Sequence, residues 1–520
     1  MEASLALSTA ALTLGTALAA CGNPTAAAPD PTPTPAAEVQ SLSTTGSTVK
    51  APKYVFLLIG DGMSYPQIQS TSDFLGALND ADYRQAQPSL DDNGGAILDG
   101  PEYLNFMNFE AAGSAVTYDS NSFAPDSAST ATSISTGYKT YSGSINVDET
   151  GTISYETIAE QLHAQKGYSV GVITSVNLNH ATPAAFYAHQ ASRNDYYDIG
   201  LELIDSGFEY FAGGGLLKPT GAEGDQADLY ALAEKAGYHV VKTQAEAEQV
   251  TGGPVVIIDE HLADSDAMAY EIDRTDDMWA LADYVEKGIE VLSQDKDGFF
   301  MMCEGGKIDW ACHANDAAST IHDTQALADA VQVAIDFAKE HADETLILVT
   351  SDHETGGLTI GFAGTDYDTY LDLLESQKIS YAKFDSDYVS RYKEDKTSFE
   401  DVLKDVEALF GLKPQGEEGD KLVLTDYELE QLRAAYEKSV NGTAASQYEQ
   451  EEYVLYGTYE PLSVTLTHII NNKSGISFTS YSHTGLPVAV LAHGVNAGQF
   501  NGYYDNTQIY HKLAGMLGIA

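Results

Sequence analysis

The chain has 520 residues, with 26 Lys or Arg against 77 Asp or Glu, so its formal net charge is −51. This balance excludes a nucleic-acid-binding module, because nucleic acids are bound by basic surfaces. The hydrophobic share of 43% is that of a folded globular protein. The charge therefore indicates an acidic, solvated surface that keeps the protein soluble in salt, and it does not indicate disorder.

The N-terminal residues are typical of an exported lipoprotein. Residues 4–20 form an apolar run that is short for a membrane span, although no Lys or Arg precedes it. The LAAC sequence that ends at Cys21 resembles a bacterial lipobox. We expect a lipoprotein-type signal peptide (1–21), a Pro/Thr/Ala-rich tether (22–52) and a folded domain (53–520). The predicted location is the periplasm, or the outer membrane through a lipid anchor at Cys21.

One pattern recurs in the folded domain: an apolar run is followed at once by an acid, a histidine or a threonine. The runs are YVFLLIGDGMS (54–64), YSVGVITSVNLNHATPAA (168–185), GFFMMCEGGKIDW (298–310), ETLILVTSDHETGG (344–357) and LPVAVLAHG (486–494). Such runs are typical of strands covered on both faces, and helical patterns lie between them at 154–167 and 319–341. The sequence predicts an α/β fold with a mostly parallel central sheet and helices on both faces. Ligands bind such sheets at the carboxyl ends of the strands.

The pattern changes between about residues 361 and 474, where tyrosines and charges become dense. Residues 398–411 place five apolar side chains on one helix face, and a second helix begins at Thr425 with a capping box to Glu428. We interpret 361–474 as a helical or mixed insertion between two core strands. It covers the active face, mediates a subunit contact or acts as a core-like cap; the sequence leaves these alternatives open.

Residues 309–316 read DWACHAND. Asp309 and His313 are four residues apart and share one face of a helix, whereas Cys312 points about 100° away from His313. Cys312 is therefore not expected to join a metal site with them. It is a buried free thiol or forms a disulfide with Cys303, and the sequence leaves both options open.

Further acids and histidines follow or precede the other predicted strands, namely Asp61, Glu304, Asp352, His353 and His483. Gathered at one sheet edge, these carboxylates would repel one another unless cations neutralise them. Mixed nitrogen and oxygen ligands suit zinc, and oxygen ligands alone suit magnesium. We expect several metal ions in one pocket.

A nucleophile and an anion-binding group complete the pattern. Ser127 begins the helix-compatible run SASTATSISTG, where free backbone N–H groups face an anion. Only five arginines occur in the chain, and Arg193 closely follows the HATPA segment. Its planar guanidinium suits a phosphate group.

Six segments in this order, IGDGMS, DSASTATSISTG, NHATPA, EGGKIDWACHAND, TSDHETGG and SHTG, resemble the alkaline phosphatase family. The resemblance covers about residues 52–360 and 475–520, and the large insertion is similar to that of the cold-adapted marine bacterial members. It implies a first zinc ion at Asp309, His313 and His483, a second at Asp61, Asp352 and His353, and a magnesium ion at Asp61, Thr182 and Glu304. It further implies Ser127 as nucleophile, Arg193 as the phosphate-binding catalytic residue, and His180 and Trp310 as substrate-binding residues that tune the site.

The implied function is hydrolysis of small phosphate monoesters with broad specificity, through a phosphoserine intermediate, by a homodimer with two Zn²⁺ and one Mg²⁺ per subunit. A phosphodiesterase or another phosphoryl- or sulfuryl-transfer enzyme of the same superfamily is the main alternative. A sulfatase is disfavoured because Ser127 is followed by Ala-Ser-Thr and not by a C/S-x-P-x-R frame. A non-catalytic, cation-binding surface lipoprotein is a remote alternative, and a dinucleotide site lacks its GxGxxG sequence.

Overall fold

A computed structural model of the chain describes residues 50–81, 83, 98–442 and 449–519. The predicted signal peptide (1–21), and all but the last three residues of the predicted tether (22–52), lie outside these ranges. Both therefore stay predictions. Among the described residues, no helix has the length and apolar character needed to cross a membrane.

Fourteen strands are present in the described part of the chain: β1 (Tyr54–Gly60), β2 (Ala111–Val116), β3 (Ser169–Thr174), β4 (Tyr210–Gly213), β5 (His239–Val241), β6 (Val255–Ile258), β7 (Phe299–Gly305), β8 (Thr345–Thr350), β9 (Glu354–Thr355), β10 (Thr359–Ile360), β11 (Ile476–Ser477), β12 (His483–Thr484), β13 (Val488–Gly494) and β14 (Gly502–Asp505). Ten of them form one sheet in the order β14-β2-β13-β8-β1-β7-β3-β4-β6-β5. The predicted α/β fold with a mostly parallel sheet is confirmed.

Strand β13 is the exception, because it runs antiparallel to both of its neighbours, β2 and β8. Its first residues therefore lie at the edge of the sheet where the parallel strands end. This orientation brings the segment before β13, with His483, to the same edge as the residues that follow β1, β7 and β8.

Within the described ranges the α-helices are α1 (Tyr65–Asn79), α2 (Ser127–Thr136), α3 (Ile158–Lys166), α4 (Ala181–Ala184), α5 (Tyr196–Asp205), α6 (Leu229–Ala236), α7 (Gln244–Ala247), α8 (Leu281–Leu292), α9 (Lys307–His313), α10 (Ala317–Glu340), α11 (Tyr381–Phe384), α12 (Ser390–Asp395), α13 (Phe399–Phe410), α14 (Asp426–Ser439), α15 (Glu449–Tyr456), α16 (Pro461–Ser474) and α17 (Thr507–Leu517). Helices cover both faces of the sheet. Alternate residues of β1 show this, since Val55 and Leu57 pack in one core with α2, α3 and α17, while Phe56 and Leu58 pack in a second core with α1, α8 and α10.

The segment predicted as an insertion contains α11 to α16. Strands β10 and β11 pair antiparallel and bring its two ends together. The two helices predicted there are confirmed as α13 and α14, and the capping box between Thr425 and Glu428 is present. Its apolar side chains form a third core, in which Phe384 and Phe410 pack with Phe74 and Ile321 from α1 and α10. The segment is thus joined to the main sheet domain by a shared core.

Candidate active site

The carboxyl ends of three neighbouring strands carry the acidic part of the site. In the sheet, β1 lies between β7 and β8, and Ile59 is paired with both Glu304 and Thr350. Asp61 follows β1, Glu304 lies in β7, and Asp352 and His353 follow β8, so the register alone places them side by side. As expected, these side chains converge at one edge of the sheet in the structure.

A tight turn after β1 completes this approach. Gly62 has a φ of +70°, and a Cβ atom there would lie 2.7 Å from Thr355 Oγ1 and 3.1 Å from Asp309 Cα. A side chain at this position would therefore be both strained and obstructed. The glycine lets the backbone after Asp61 pack directly against the residues that carry the other ligands.

Asp309, His313 and His483 form the first cluster of potential metal ligands. The Nε2 atom of His313 lies 3.3 Å from Asp309 Oδ2, as the four-residue spacing on α9 predicts. The Nε2 atom of His483 lies 3.5 Å from Asp309 Oδ1 and 3.1 Å from His313 Nε2. Two ring nitrogens thus face the same point beside one carboxylate.

The opposite ring nitrogens of the histidines fix this orientation. His313 Nδ1 donates to the carbonyl oxygen of Tyr481 at 2.7 Å, and His483 Nδ1 donates to that of Pro125 at 2.5 Å. His353 Nδ1 donates to Thr355 Oγ1 at 3.2 Å, and this hydroxyl donates in turn to Asp309 Oδ1. With the proton on Nδ1, each Nε2 keeps a lone pair directed into the site, which is the arrangement of metal-binding histidines.

A second cluster surrounds the Ser127 hydroxyl. His353 Nε2 lies 3.1 Å from Ser127 Oγ and 3.3 Å from both Asp61 Oδ1 and Asp352 Oδ2. All four side chains are buried. Burial lowers the pKa of His353 well below its ordinary value, so the ring is neutral. Asp61, Asp309 and His353 hold ligand atoms close enough to share one ion.

The third cluster lies deeper, at Asp61 and Glu304. Asp61 Oδ1 and Glu304 Oε1 are buried without a hydrogen-bond partner, whereas Thr182 Oγ1 donates to Asp61 Oδ2 at 3.2 Å. Burial, together with the neighbouring Asp352 carboxylate, raises the pKa of Glu304 to about 8. Unpartnered buried carboxylate oxygens are costly, and a cation between them removes that cost.

His180 lies within reach of this third cluster, since it could share an ion with Asp61 and Glu304. Its Nε2 atom, however, accepts a hydrogen bond from Arg193 Nη2 at 3.1 Å. Burial and the Arg193 charge lower the pKa of His180 to about 3. A neutral imidazole has one nitrogen lone pair, so His180 cannot serve Arg193 and a cation at the same time. With His180 bound to Arg193, a cation at the third cluster would have oxygen ligands only.

Ser127 is the first residue of α2, and Asp126 caps this helix by accepting from the backbone N–H of Ser129. Arg193 Nη1 donates to Asp126 Oδ2 at 2.9 Å, which holds the guanidinium beside the start of the helix. Helix N-termini and arginine side chains both bind phosphate oxygens. Ser127 and Arg193 therefore line one pocket that is suited to an anion.

Several residues of the pocket were not predicted. The lining contains the expected Ser127, His180, Arg193 and Trp310, and in addition Asp264, Ser265, Tyr381 and Tyr459. Tyr381 and Tyr459 come from the segment 361–474, which therefore covers the active face as well as capping the core. No local pattern marks them. Asp126, in contrast, could have been found from its position before Ser127 as a helix cap.

Both remaining cysteines in the described residues are buried free thiols, so they form no disulfide. Cys312 Sγ lies 3.7 Å from Gln67 Nε2 and 3.4 Å from Thr320 Oγ1, away from the ligands. None of the three clusters found among the described residues contains a cysteine. Cys312 is thus a buried free thiol, and its exclusion from a metal site stays a prediction.

The fold and the site together define a metal-dependent hydrolase with a serine at a helix N-terminus. The alkaline phosphatase family model matches residues 52–519, and the chain belongs to this family. It is 30% identical to Alkaline phosphatase 3 of Bacillus subtilis over 465 residues, which are 88% of this chain and 87% of that protein. The protein is a phosphatase enzyme, and the alternative of a non-catalytic lipoprotein is wrong.

Solved structures agree with this assignment. The cold-active alkaline phosphatase from the psychrophile Shewanella sp. superposes with a TM-score of 0.70 at 29% identity, covering 89% of this chain and 99% of that one. The alkaline phosphatase of Thermus thermophilus shares the fold, with a TM-score of 0.71 at 24% identity over 91% of this chain and 92% of that one. The expected likeness to cold-adapted bacterial members is confirmed by the first of these.

Proposed function

We propose that this protein hydrolyses a broad range of phosphate monoesters through a phosphoserine on Ser127, and that two Zn²⁺ and one Mg²⁺ per subunit serve the reaction. The observation that carries the proposal is the position of the Ser127 hydroxyl. It lies at a helix N-terminus, 3.1 Å from His353 Nε2, with the Arg193 guanidinium beside the same helix start. The side chains proposed as nucleophile, anion-binding group and metal ligands line one pocket, which supports the proposal.

The donor atoms fit the proposed ions. A first zinc ion would be held by Asp309, His313 and His483, and a second by Asp61, Asp352 and His353. Nitrogen and carboxylate ligands are those that zinc prefers. A magnesium ion would be held by Asp61, Thr182 and Glu304, whose donors are all oxygens. When bound, such cations lower the pKa of a serine hydroxyl and neutralise the charge that develops on phosphoryl oxygens.

Residues of the chain supply the rest of the chemistry. Ser127 Oγ attacks the phosphorus atom, the ester oxygen departs on the opposite side, and water then hydrolyses the phosphoserine. Arg193 and the first backbone N–H groups of α2 hold the non-bridging oxygens. Asp126 and His180 fix the guanidinium through its two terminal nitrogens, so it is already oriented before the substrate binds.

The test combines metal analysis with substrate comparison. We expect the purified protein to contain zinc and magnesium, to hydrolyse p-nitrophenyl phosphate faster than bis(p-nitrophenyl) phosphate, and to lose activity with a chelator. Ser127→Ala should lower kcat at least about 1,000-fold while the metal content is kept. Ser133→Ala is the matched control, because Ser133 lies on the same helix and donates only to the backbone oxygen of Ser129.

Acid quenching during turnover should leave a phosphate group on the peptide that contains Ser127, detectable by mass spectrometry. Unchanged hydrolysis by Ser127→Ala would refute the assigned nucleophile. Faster hydrolysis of the diester would instead identify a phosphodiesterase, and faster hydrolysis of a nitrophenyl sulfate would identify a sulfatase.

We further propose that the protein is exported and lipid-anchored at Cys21, in the periplasm or at the outer membrane, and that it is a homodimer. The apolar run and the lipobox-like LAAC sequence support the first proposal. Metabolic labelling with a fatty-acid analogue, compared between the natural chain and Cys21→Ala, tests the anchor. Light scattering of residues 53–520 tests the subunit number.

A further inference from the structure

Aromatic side chains surround the mouth of the catalytic cleft. The cleft has a volume of about 430 Å³, and Trp310, Tyr381 and Tyr459 line it together with Ser127 and His483. These three residues are the aromatic rim. Ser127 is 1% exposed, whereas the three aromatic residues are half-buried. The serine therefore lies at the bottom of the cleft and the aromatic rings lie nearer to solvent.

The in-line geometry of the reaction relates the position of Ser127 to that of the aromatic rim. In an in-line displacement at phosphorus, the leaving oxygen lies opposite the attacking oxygen. An ester attacked by the buried Ser127 hydroxyl must therefore point its alcohol portion away from the bottom of the cleft. Any leaving group larger than a few atoms would then contact the aromatic rim.

The rings from the insertion are held in place before a substrate arrives. The backbone N–H of Tyr381 donates to Asp316 Oδ2 at 3.0 Å, and its hydroxyl accepts from Tyr270 at 3.1 Å. Tyr459 meets Tyr381 edge to face, with ring centroids 5.6 Å apart and planes at 84°. Because the rings are already ordered, little conformational entropy would be lost when an aromatic group binds to them.

Trp310, the third residue of the aromatic rim, contacts His180 of the third cluster and the buried Lys307. Trp310 meets His180 edge to face at 5.9 Å, and Lys307 Nζ lies 4.7 Å from the centre of the Trp310 ring system. Trp310 therefore also has fixed neighbours before a substrate binds.

We propose that the aromatic rim is a leaving-group subsite that favours phosphate esters of flat aromatic alcohols over esters of small aliphatic alcohols. The inference rests on the monoesterase function proposed above and adds to it the substrate class. Aromatic rings that pack on one another gain stability beyond the burial of area.

Non-hydrolysable inhibitors separate binding at the subsite from chemistry at phosphorus. Phenylphosphonate, methylphosphonate and inorganic phosphate share the charged group but differ in the attached group. We expect Tyr459→Ala to weaken inhibition by phenylphosphonate about three- to tenfold, with the inhibition constants of the other two unchanged. Tyr459→Phe should bind all three as the natural protein does, because it keeps the ring.

Tyr427→Ala is the matched control, since Tyr427 lies on α14 of the same insertion and is 70% exposed. It should alter none of the three constants. Tyr381→Ala gives an independent reading and should show the same selective loss. Equal weakening of all three inhibitors in Tyr459→Ala and Tyr381→Ala would overturn the subsite, because the rings would then support the phosphate site instead.

The same protein separates this failure from failure of the proposed function. If the natural chain hydrolyses phenyl phosphate and glycerol 2-phosphate, but the two tyrosine variants lower kcat/KM equally for both, only the subsite is refuted. If the natural chain hydrolyses neither, the monoesterase proposal fails. If Tyr459→Ala does not fold, Tyr459→Leu replaces it, with the same expected loss for phenylphosphonate.

Discussion

The bottom of the cleft and two of the three residues at its mouth are built from different parts of the chain, while Trp310 shares α9 with Asp309 and His313. The carboxylate–histidine floor is Asp61, Glu304, Asp309, His313, Asp352, His353 and His483, all from short segments at one edge of the sheet. Two members of the aromatic rim, Tyr381 and Tyr459, come from a helical segment inserted between β10 and β11. Strand register fixes the part of the floor that follows β1, β7 and β8, and α9 and β12 carry the rest. Most of the rim is fixed by the packing of a separate layer.

This difference separates two roles. Ligands that hold ions must keep their geometry within a fraction of an ångström, and neighbouring parallel strands provide such rigidity. Groups that select a leaving group can vary without disturbing the chemistry, and an inserted layer allows that variation. We therefore expect changes in the floor to act on every substrate and changes in the aromatic rim to act on some of them.

The largest effect is expected for Asp309→Ala, which removes a carboxylate from the first cluster. The Nε2 atoms of His313 and His483 would lose the negative charge that they share at 3.3 Å and 3.5 Å. We expect kcat/KM to fall at least about 1,000-fold for aryl and alkyl esters alike, with loss of bound zinc. Metal analysis beside steady-state kinetics measures both.

Asp401→Ala is the matched control, because Asp401 is an exposed acid on α13 that pairs with Lys404. It should change neither metal content nor rate. A selective loss for aryl esters in Asp309→Ala would contradict the division between floor and rim.

Sequence reasoning reached the floor more easily than the aromatic rim. Asp309 and His313 could be paired from their spacing alone, and Asp61, Asp352 and His353 from their place after apolar strands. His483 depended on one further fact, that β13 runs antiparallel, which its apolar run does not reveal. Its place before the last apolar run was enough to group it with the others, but assigning it to one ion with Asp309 and His313 needed the resemblance to the family.

Tyr381 and Tyr459 could not be predicted, because their place depends on how α11 and α16 pack on the sheet domain. The fold class followed from the apolar runs and the helical patterns between them. Strand β2 and the edge strand β14 did not, since AAGSAV and GYYD are short and partly exposed. Strands without a continuous apolar run give little signal in one sequence.

The next largest effect is expected on stability, from the third core that joins the segment 361–474 to the main sheet domain. Phe410 is fully buried in the third core and packs edge to face on Phe384 at 5.2 Å. Phe410→Ala should lower the free energy of unfolding by about 3–5 kcal/mol. At temperatures well below the transition, the floor should still bind its metal ions and hydrolyse glycerol 2-phosphate. Denaturant unfolding and metal analysis check this.

Tyr367→Ala is the control for Phe410→Ala, because Tyr367 lies in the same segment and is 80% exposed. It should alter the free energy of unfolding by less than about 0.5 kcal/mol. Loss of metal from folded Phe410→Ala would show that the floor depends on the insertion, contrary to the division drawn here.

A smaller effect is expected on the pH dependence of stability, because the floor contains buried carboxyl groups. The pKa of Glu304 is raised to about 8 from its ordinary value of 4.5, mainly by burial. Between these values the folded protein binds more protons than the unfolded chain, so stability falls as pH rises. Chelated protein should therefore lose about 5 °C of Tm between pH 5.5 and 8.5 relative to metal-loaded protein.

Glu304→Gln should reduce this pH dependence in chelated protein, and the metal-loaded natural chain is the reference. Asp61 and Asp352 have raised pKa values for the same reason, burial beside other carboxylates, so a part of the slope should remain. If Tm depended on pH equally with and without metal, bound cations would not be neutralising the carboxylates of the floor.

The smallest effect concerns substrate encounter. It tests whether the negative charge of the whole surface or the local charge of the floor determines how fast an anionic substrate binds. A net charge of −51 repels dianionic monoesters, and salt screens this repulsion. The Debye length, beyond which charges are largely screened, is about 30 Å at 0.01 M and 8 Å at 0.15 M salt. If this surface field governs encounter, raising NaCl from about 10 to 200 mM should raise kcat/KM for phenyl phosphate about two- to threefold. Phosphocholine, whose cation offsets part of its charge, is the control and should respond less. A fall in kcat/KM with salt, larger for phenyl phosphate, would mean that the bound cations of the floor already dominate the field that a substrate meets.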